Sequence, residues 1–149
     1  MSIHLLVAAP VMLICLVLQG VVVAICLRRY ARYRRRWEGR ETLWMEIALL
    51  MGVMMLTLVC NIVQIGIWAV LFVMLGEFKA FMPALYHSSV NFATLGYGDI
   101  VMSERWRMLG PIEAANGILM FGMSTSLMTA AVLDVIKSNL ARLRDHPHA

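Results

Sequence analysis

Three long apolar runs dominate the pattern of hydrophobic and polar positions along the chain. The first, Leu5–Leu27, has 23 residues and only one strongly polar interruption, Gln19. The second, Leu43–Leu75, has 33 residues, and the third is Pro111–Ile136. At about 1.5 Å per helical residue, each run is long enough to cross roughly 30 Å of hydrocarbon. The pattern therefore predicts three membrane-spanning helices, the second of which must tilt, kink or begin outside the bilayer.

A shorter apolar segment, Ala80–Ala93, lies between the second and third runs. It is too short to span a membrane and too apolar for an exposed loop, so we expect a re-entrant helix. The predicted fold class is an all-α membrane protein with three transmembrane helices and one re-entrant helix in each chain. Composition agrees, because 61% of the residues are hydrophobic, the mean hydropathy is +0.77, and soluble domains are closer to half apolar.

Basic residues predict the orientation in the membrane. The segment 28–40 contains seven arginines and one acidic residue, and the tail after the third run is also basic. Short segments rich in lysine and arginine stay on the cytoplasmic side. In a plasma (cell inner) membrane we therefore expect a transmembrane helix over 1–27 with its N-terminus outside, a cytoplasmic arginine-rich loop over 28–41 and a cytoplasmic tail over 138–149.

The arginines do not recur at every third position within an apolar helix, as they would in a voltage sensor. They crowd outside the first apolar run, between Arg28 and Arg40. We expect this segment to fix the topology and to contact anionic lipid. Nucleic acid is not an expected partner, because the segment is short and adjoins the membrane.

Between the re-entrant segment and the third run stands Thr94-Leu95-Gly96-Tyr97-Gly98-Asp99. A dehydrated potassium ion needs oxygen ligands in place of its water shell, and rows of backbone carbonyls from four chains around an axis supply them. Glycines at alternate positions permit the positive φ angles that such a row needs. The segment resembles the Thr-Val-Gly-Tyr-Gly selectivity filter of the potassium channel family, with Leu95 in place of the usual valine or isoleucine.

The resemblance extends over residues 42–137, which look like the pore domain of simple bacterial potassium channels. It implies an outer helix at 43–75, a pore helix at 80–93, a filter at 94–99 and an inner helix at 111–136. It also implies a homotetramer around a fourfold axis that conducts K⁺ passively. The residues whose backbone carbonyls would bind K⁺ are Thr94, Leu95, Gly96 and Tyr97, with the Thr94 hydroxyl below them and Gly98 completing the filter.

The resemblance also implies that side chains of the pore helix support the filter. Tyr86 and His87 occupy positions where the family commonly has two aromatic residues that brace the filter tyrosine and aspartate. Since both can donate a hydrogen bond, we expect them to brace Tyr97 and Asp99, and His87 would then be a route to pH sensitivity. Val90 lies where some relatives have a filter-facing glutamate.

The third run offers a second match, because residues 117–122 (Gly-Ile-Leu-Met-Phe-Gly) resemble the hinge region of the same channels, with Gly117 at the hinge and Gly122 one turn on. Close helix packing is an equally good reason for either glycine. Asp134 is expected near the inner mouth, where its carboxylate would attract cations or pair with a basic residue. Helical spacing directs further side chains toward the cavity, namely Ile118, Phe121, Thr125, Ser126 and Thr129.

Other functions stay open from the sequence alone. A weakly selective cation channel would use a variant of the same filter, and a non-conducting subunit or membrane scaffold would share the fold. An intramembrane aspartyl protease also uses Gly-x-Gly-Asp but needs two carboxylates at one site, and Asp134 is expected at the opposite membrane face from Asp99. The sequence shows no phosphate-binding loop, metal-ligand motif or nucleophile–base pair, so we expect neither an enzyme nor a cofactor.

Overall fold

The computed structural model describes residues 2–36 and 43–145, and within these ranges it contains helices and no strand. The four helices are α1 (Ser2–Arg36), α2 (Leu43–Met74), α3 (Phe81–Phe92) and α4 (Leu109–Asp145). Helices α1, α2 and α4 are each long and apolar enough to cross a membrane. The predicted all-α membrane fold, with three spans and one shorter helix between the second and third, is confirmed.

The largest difference from the predicted boundaries is at the arginine-rich segment. Helix α1 continues through Arg36, so most of the loop predicted at 28–41 is helical, while residues 37–42 lie outside the described residues. Helix α4 likewise continues to Asp145 and includes most of the predicted tail. Arginine is a good helix former, so its appearance here indicates where a helix leaves the hydrocarbon and not where it ends.

Helix α1 packs against both α2 and α4, and α3 packs between α2 and α4. The apolar core lies where these elements meet, around the fully buried Trp68, Phe72 and Phe92. Helix α1 contributes Ala8 and Cys15 to this core, both fully buried. Small side chains at a helix interface allow two membrane helices to approach closely, which is a main source of their association in lipid.

A buried polar network joins the three spans near their middle. Gln19 of α1 is fully buried, and its amide nitrogen donates to the Ser124 hydroxyl oxygen of α4 over 3.0 Å. The Gln64 amide of α2 donates to the Gln19 carbonyl oxygen over 2.8 Å, and the Cys60 thiol reaches the same oxygen at 3.2 Å. Because hydrocarbon offers no other partners, these bonds fix the rotation of α1 against its neighbours.

Two contacts of α1, one near each of its ends, lie on opposite sides of the bundle. The His4 Nε2 atom lies 2.7 Å from the carbonyl oxygen of Arg105, in the loop before α4, and its ring meets Trp106 edge-on with 5.7 Å between centroids. At the other end, the Tyr30 hydroxyl donates to the Asp134 carboxylate over 2.6 Å. The N-terminus of α1 and the 94–99 segment therefore lie on one side of the bundle, and the arginine end lies on the other.

Candidate functional site

Residues 94–98 leave the end of α3 with a backbone of alternating handedness. The φ angle is +60° at Thr94, +57° at Gly96 and +72° at Gly98, whereas Leu95 and Tyr97 between them do not have positive φ. Glycine adopts positive φ at little cost, but a β-branched residue rarely does. The positive φ expected at the two glycines is present, and Thr94 adds a strained position that its residue type alone did not indicate.

The first residues of this segment are tied to the last turn of α3. The Thr94 amide donates to the Asn91 carbonyl oxygen over 2.8 Å, and the Leu95 amide donates to the Val90 carbonyl oxygen over 2.9 Å. The C-terminal end of a helix carries a partial negative charge that favours a cation. Helix α3 therefore supplies both a mechanical anchor and a favourable field at the start of the segment.

Tyr86 and Asp99 form a direct side-chain link. The Tyr86 hydroxyl donates to the Asp99 carboxylate over 2.6 Å. This hydrogen bond lowers the pKa of Asp99 from its usual 3.8 and raises the pKa of Tyr86 from its usual 10.0. Of the two expected partners of Tyr86, the structure brings Asp99 to it, whereas the Tyr97 side chain is 66% exposed in the single chain.

His87 makes a different contact from the expected one. Its Nδ1 lies 2.9 Å from the Ile100 carbonyl oxygen, and its Nε2 lies 2.8 Å from the Asn91 side-chain nitrogen. A neutral ring satisfies both pairs, since Nδ1–H donates to Ile100 and the Asn91 amide donates to Nε2. Burial lowers the pKa of His87 from its usual 6.5. His87 thus holds the backbone that follows Asp99, in place of the predicted contact with the side chain of Asp99 or Tyr97.

A cavity of about 200 Å³ lies behind the segment, between α3, the 94–98 backbone and the start of α4. Val90 lines it together with Gly96, Gly98 and Arg107. The Val90 side chain is only 7% exposed and lies on the side of the cavity opposite the glycines of the segment. Its isopropyl group can fill space there but cannot form a hydrogen bond.

Gly117 and Gly122 have different surroundings. A Cβ atom at Gly117 would lie 2.1 Å from the backbone oxygen of Phe92, the last residue of α3, whereas one at Gly122 would meet nothing within 4 Å. For Gly117 the structure therefore favours the packing explanation, because only a glycine lets α4 approach the end of α3 this closely. Gly122 retains the free space that a bend would need.

A buried polar link between α3 and α4 was missed by reasoning from the sequence. The Ser88 hydroxyl contacts the Ile65 carbonyl oxygen at 2.8 Å and the carboxylate of Glu113, and both Ser88 and Glu113 are fully buried. Glu113 lies beyond the first turn of α4, because the helix begins at Leu109 and has no acidic residue in that turn. A lone carboxylate in an apolar run was the available signal, because such a group needs a partner in the bundle.

The predicted cavity residues divide between two sides of α4. Ile118, Gly122 and Ser126 line an open groove of about 680 Å³ together with Val23 and Leu27 of α1.

Phe121, Thr125 and Thr129 follow one another at four-residue spacing, and the Phe121 ring meets Phe92 of α3 edge-on at 5.5 Å. The hydroxyls of Ser126 and Thr129 each donate to the carbonyl oxygen four residues earlier, over 2.9 Å. The side chains of Phe121, Thr125 and Thr129 are all exposed in the single chain.

Asp134 lies on α4 at the end remote from the 94–99 segment. It follows Leu109 by 25 residues, which is about 37 Å along a helix. Its carboxylate accepts a hydrogen bond from Tyr30, while Asp99 accepts one from Tyr86. The two aspartates are too far apart to share a proton or a substrate, which removes the geometric basis for a protease.

A family model described as ion channel matches residues 58–134 of this chain, just over half of its 149 residues. The matched stretch starts within α2, includes all of α3 and the 94–99 segment, and ends in α4 at Asp134. No curated protein and no solved structure matches the chain. The extent of the family match, over the elements that carry the site, shows that this chain belongs to the ion channel family.

Proposed function

We propose that the protein is a potassium-selective channel subunit through which K⁺ flows passively down its gradient. The observation that carries this proposal is the positive φ at residues 94, 96 and 98 of the Thr-Leu-Gly-Tyr-Gly segment. Alternating handedness turns successive carbonyls toward one side, in contrast to a β-strand. The carbonyl oxygens of Thr94, Leu95, Gly96 and Tyr97, with the Thr94 hydroxyl, then replace the hydration shell of K⁺.

The working channel in this proposal is a homotetramer. One chain supplies one side of an ion site, and its segment stays open, with Leu95 54% and Tyr97 66% exposed. Four copies around an axis would cover these residues and close the ring of oxygens. The exposed face of α4, where Phe121, Thr125 and Thr129 lie, would then border a cavity below the filter.

The channel is proposed to lie in the plasma membrane with its filter toward the outside. Seven arginines in residues 28–40 favour a cytoplasmic position for that end of α1. Because His4 contacts the loop that follows the filter, the same orientation puts the N-terminus and the filter outside together.

Reversal potentials test the proposal. The purified full chain is reconstituted into planar bilayers with KCl on one side and NaCl on the other. Since 100 mV acts on a unit charge with about 2.3 kcal/mol, each tenfold preference for K⁺ over Na⁺ shifts the reversal potential by about 60 mV. We expect a shift of at least this size toward the K⁺ potential.

Two other outcomes of this experiment would each favour a different function. A reversal potential near zero under these bi-ionic conditions would replace the proposal with a weakly selective cation channel. Absence of current from protein that is folded and inserted would favour a non-conducting membrane subunit.

A further inference from the structure

A groove of about 300 Å³ opens between α1 and α2 at the arginine end of the bundle. Its floor is apolar and includes Leu49, Val53 and Leu56 of α2. Its other wall is α1, which contributes Arg29 and Tyr33 at the same end. An apolar groove with a cation beside it matches the chemistry of a phospholipid, whose acyl chain suits the apolar side chains and whose phosphate suits the arginine.

The charge around the groove has the sign that an anionic headgroup needs. Arg28, Arg29 and Arg32 are all exposed and lie on two successive turns of α1 as it leaves its apolar run. Two acidic residues on the same side of the bundle are already engaged: Glu46 accepts from Asn139 over 3.2 Å and Asp134 accepts from Tyr30. Arginines at the end of a membrane helix lie at the depth of lipid headgroups, where each is worth about 1 kcal/mol toward anionic lipid.

We propose that this groove is a binding site for one anionic phospholipid. An acyl chain lies along Leu49, Val53 and Leu56, and the phosphate lies at Arg29. The site is built by α1 together with the first half of α2, so all of its lining residues lie before the stretch that matches the ion channel family.

The site is connected to α4 through Tyr30. This residue lines the groove, and its hydroxyl donates to Asp134 of α4. A bound lipid restricts Tyr30 and thereby the end of α4 remote from the filter. Resting on the proposed channel function, the inference extends to regulation: K⁺ current depends on anionic lipid in this groove.

Binding is tested first, without any reliance on conduction. The purified full chain in detergent is titrated with phosphatidylglycerol or phosphatidylcholine, and bound lipid is counted by native mass spectrometry. Gly52 lines the groove, and a Cβ there meets no atom within 4 Å, so the position accepts a side chain and Gly52→Leu should occupy part of the groove. Leucine is also the better helix former. The matched control is Gly20→Leu, an exposed position of α1 that likewise has no atom within 4 Å.

We expect Gly52→Leu to lower phosphatidylglycerol binding at least fivefold and Gly20→Leu to leave it within twofold of the parent. A second pair of variants tests the charge. Arg29→Gln, at the groove, should weaken binding about fivefold, whereas Arg28→Gln, at the adjacent residue that does not line the groove, should weaken it less than twofold.

Equal losses in Arg29→Gln and Arg28→Gln would overturn the site in favour of diffuse attraction to a basic surface. Equal binding of phosphatidylcholine would overturn the assignment of an anionic ligand, and unchanged binding by Gly52→Leu would overturn the groove itself.

The regulatory step is tested by K⁺ flux into phosphatidylcholine vesicles with and without phosphatidylglycerol. We expect flux in the parent to change at least threefold with phosphatidylglycerol, and the change to disappear in Gly52→Leu but not in Gly20→Leu. A K⁺ flux that is the same with and without phosphatidylglycerol would overturn the coupling. If the parent binds the lipid at Arg29 but carries no K⁺ in either vesicle, the channel proposal and with it the coupling fail, while the lipid site stands.

Discussion

The proposed filter segment and helix α1 are held in place in different ways. Residues 94–98 take their shape from the backbone, through positive φ at alternate residues and amide bonds to the last turn of α3. Helix α1 is held by apolar packing and by a few side-chain bonds, from Gln19 and Tyr30 to α4 and from His4 to the loop before α4. A change in the backbone of the filter should therefore act on ion selection directly, whereas a change in α1 should act on stability and leave selection intact.

The largest effect should come from Gly96→Ala. An alanine at φ +57° costs about 1–2 kcal/mol, and four such positions would meet around one proposed pore. We expect selective K⁺ current to be abolished in bilayer recordings. Gly20→Ala, at an exposed position of α1 with free space, should leave current and selectivity unchanged. Normal K⁺ current from Gly96→Ala would refute the assignment of residues 94–98 as the filter.

Gly117→Ala should have the next largest effect. Its Cβ would lie 2.1 Å from the Phe92 oxygen, so α3 and α4 must separate, and such overpacking typically costs about 1–3 kcal/mol. We expect a lower temperature of unfolding and a loss of K⁺ current together, because Phe92 ends the helix that anchors the filter.

Gly122→Ala is the matched control, since an added Cβ there meets nothing; it should keep or raise the temperature of unfolding. If Gly117 acts only as a hinge, Gly117→Ala would keep the parent's unfolding temperature and alter the opening of the channel alone. That result would overturn the packing explanation.

The comparison of the two regions also shows what could be predicted from sequence. The three spans follow from the apolar runs, and positive φ at Gly96 and Gly98 follows from residue type, because each depends on local composition or on a single residue. The continuation of helix α1 after Leu27 does not follow from the sequence, since the same arginines suit a loop or a helix outside the membrane.

Side-chain partners were the least predictable part. The pairing of Ser88 with Glu113 and of His87 with the Ile100 carbonyl depends on how each helix is rotated about its axis. In spans that are apolar on all sides, the pattern of hydrophobic residues does not specify this rotation. A polar residue in an apolar span, such as Gln64, needs a partner in the bundle, but the sequence does not indicate which residue that partner is.

Gln19→Leu tests the expectation that a change in α1 acts on stability and leaves ion selection intact. It removes the bonds from Gln19 to Ser124 and from Gln64 to Gln19, and hydrogen bonds between membrane helices are worth about 0.6 kcal/mol each, at most about 2. We expect a moderate fall in the temperature of unfolding and an unchanged K⁺/Na⁺ permeability ratio. Val21→Leu, at an exposed position of the same helix, should change neither. A changed permeability ratio in Gln19→Leu would show that α1 and the filter are not independent.

The smallest expected effect is a response to acid at His87. Burial lowers the pKa of His87 from 6.5, although Asp99 and Glu77 act in the opposite direction. Above about pH 6.5 the ring is neutral in both the folded and the unfolded chain, so its contribution to stability is fully present there. As the pH falls through 6.5 and then through the lowered pKa, the unfolded chain binds a proton first, and the contribution is lost. Protonation would also put a hydrogen on Nε2, against the Asn91 amide that donates to it.

Asp99 and Tyr86 do not titrate in this range, because the pKa of Asp99 lies below 3.8 and that of Tyr86 lies above 10.0. Unfolding temperature and K⁺ current should therefore be constant from about pH 8 to about pH 6.5 and should fall between there and about pH 5. His87→Phe keeps a ring but cannot take up a proton. It should be less stable than the parent at neutral pH, and its unfolding temperature and K⁺ current should not change with pH across the same range. A transition centred above pH 6.5, or one that persists in His87→Phe, would mean that another group responds to acid and that His87 serves the filter only as a fixed, neutral link to the Ile100 carbonyl.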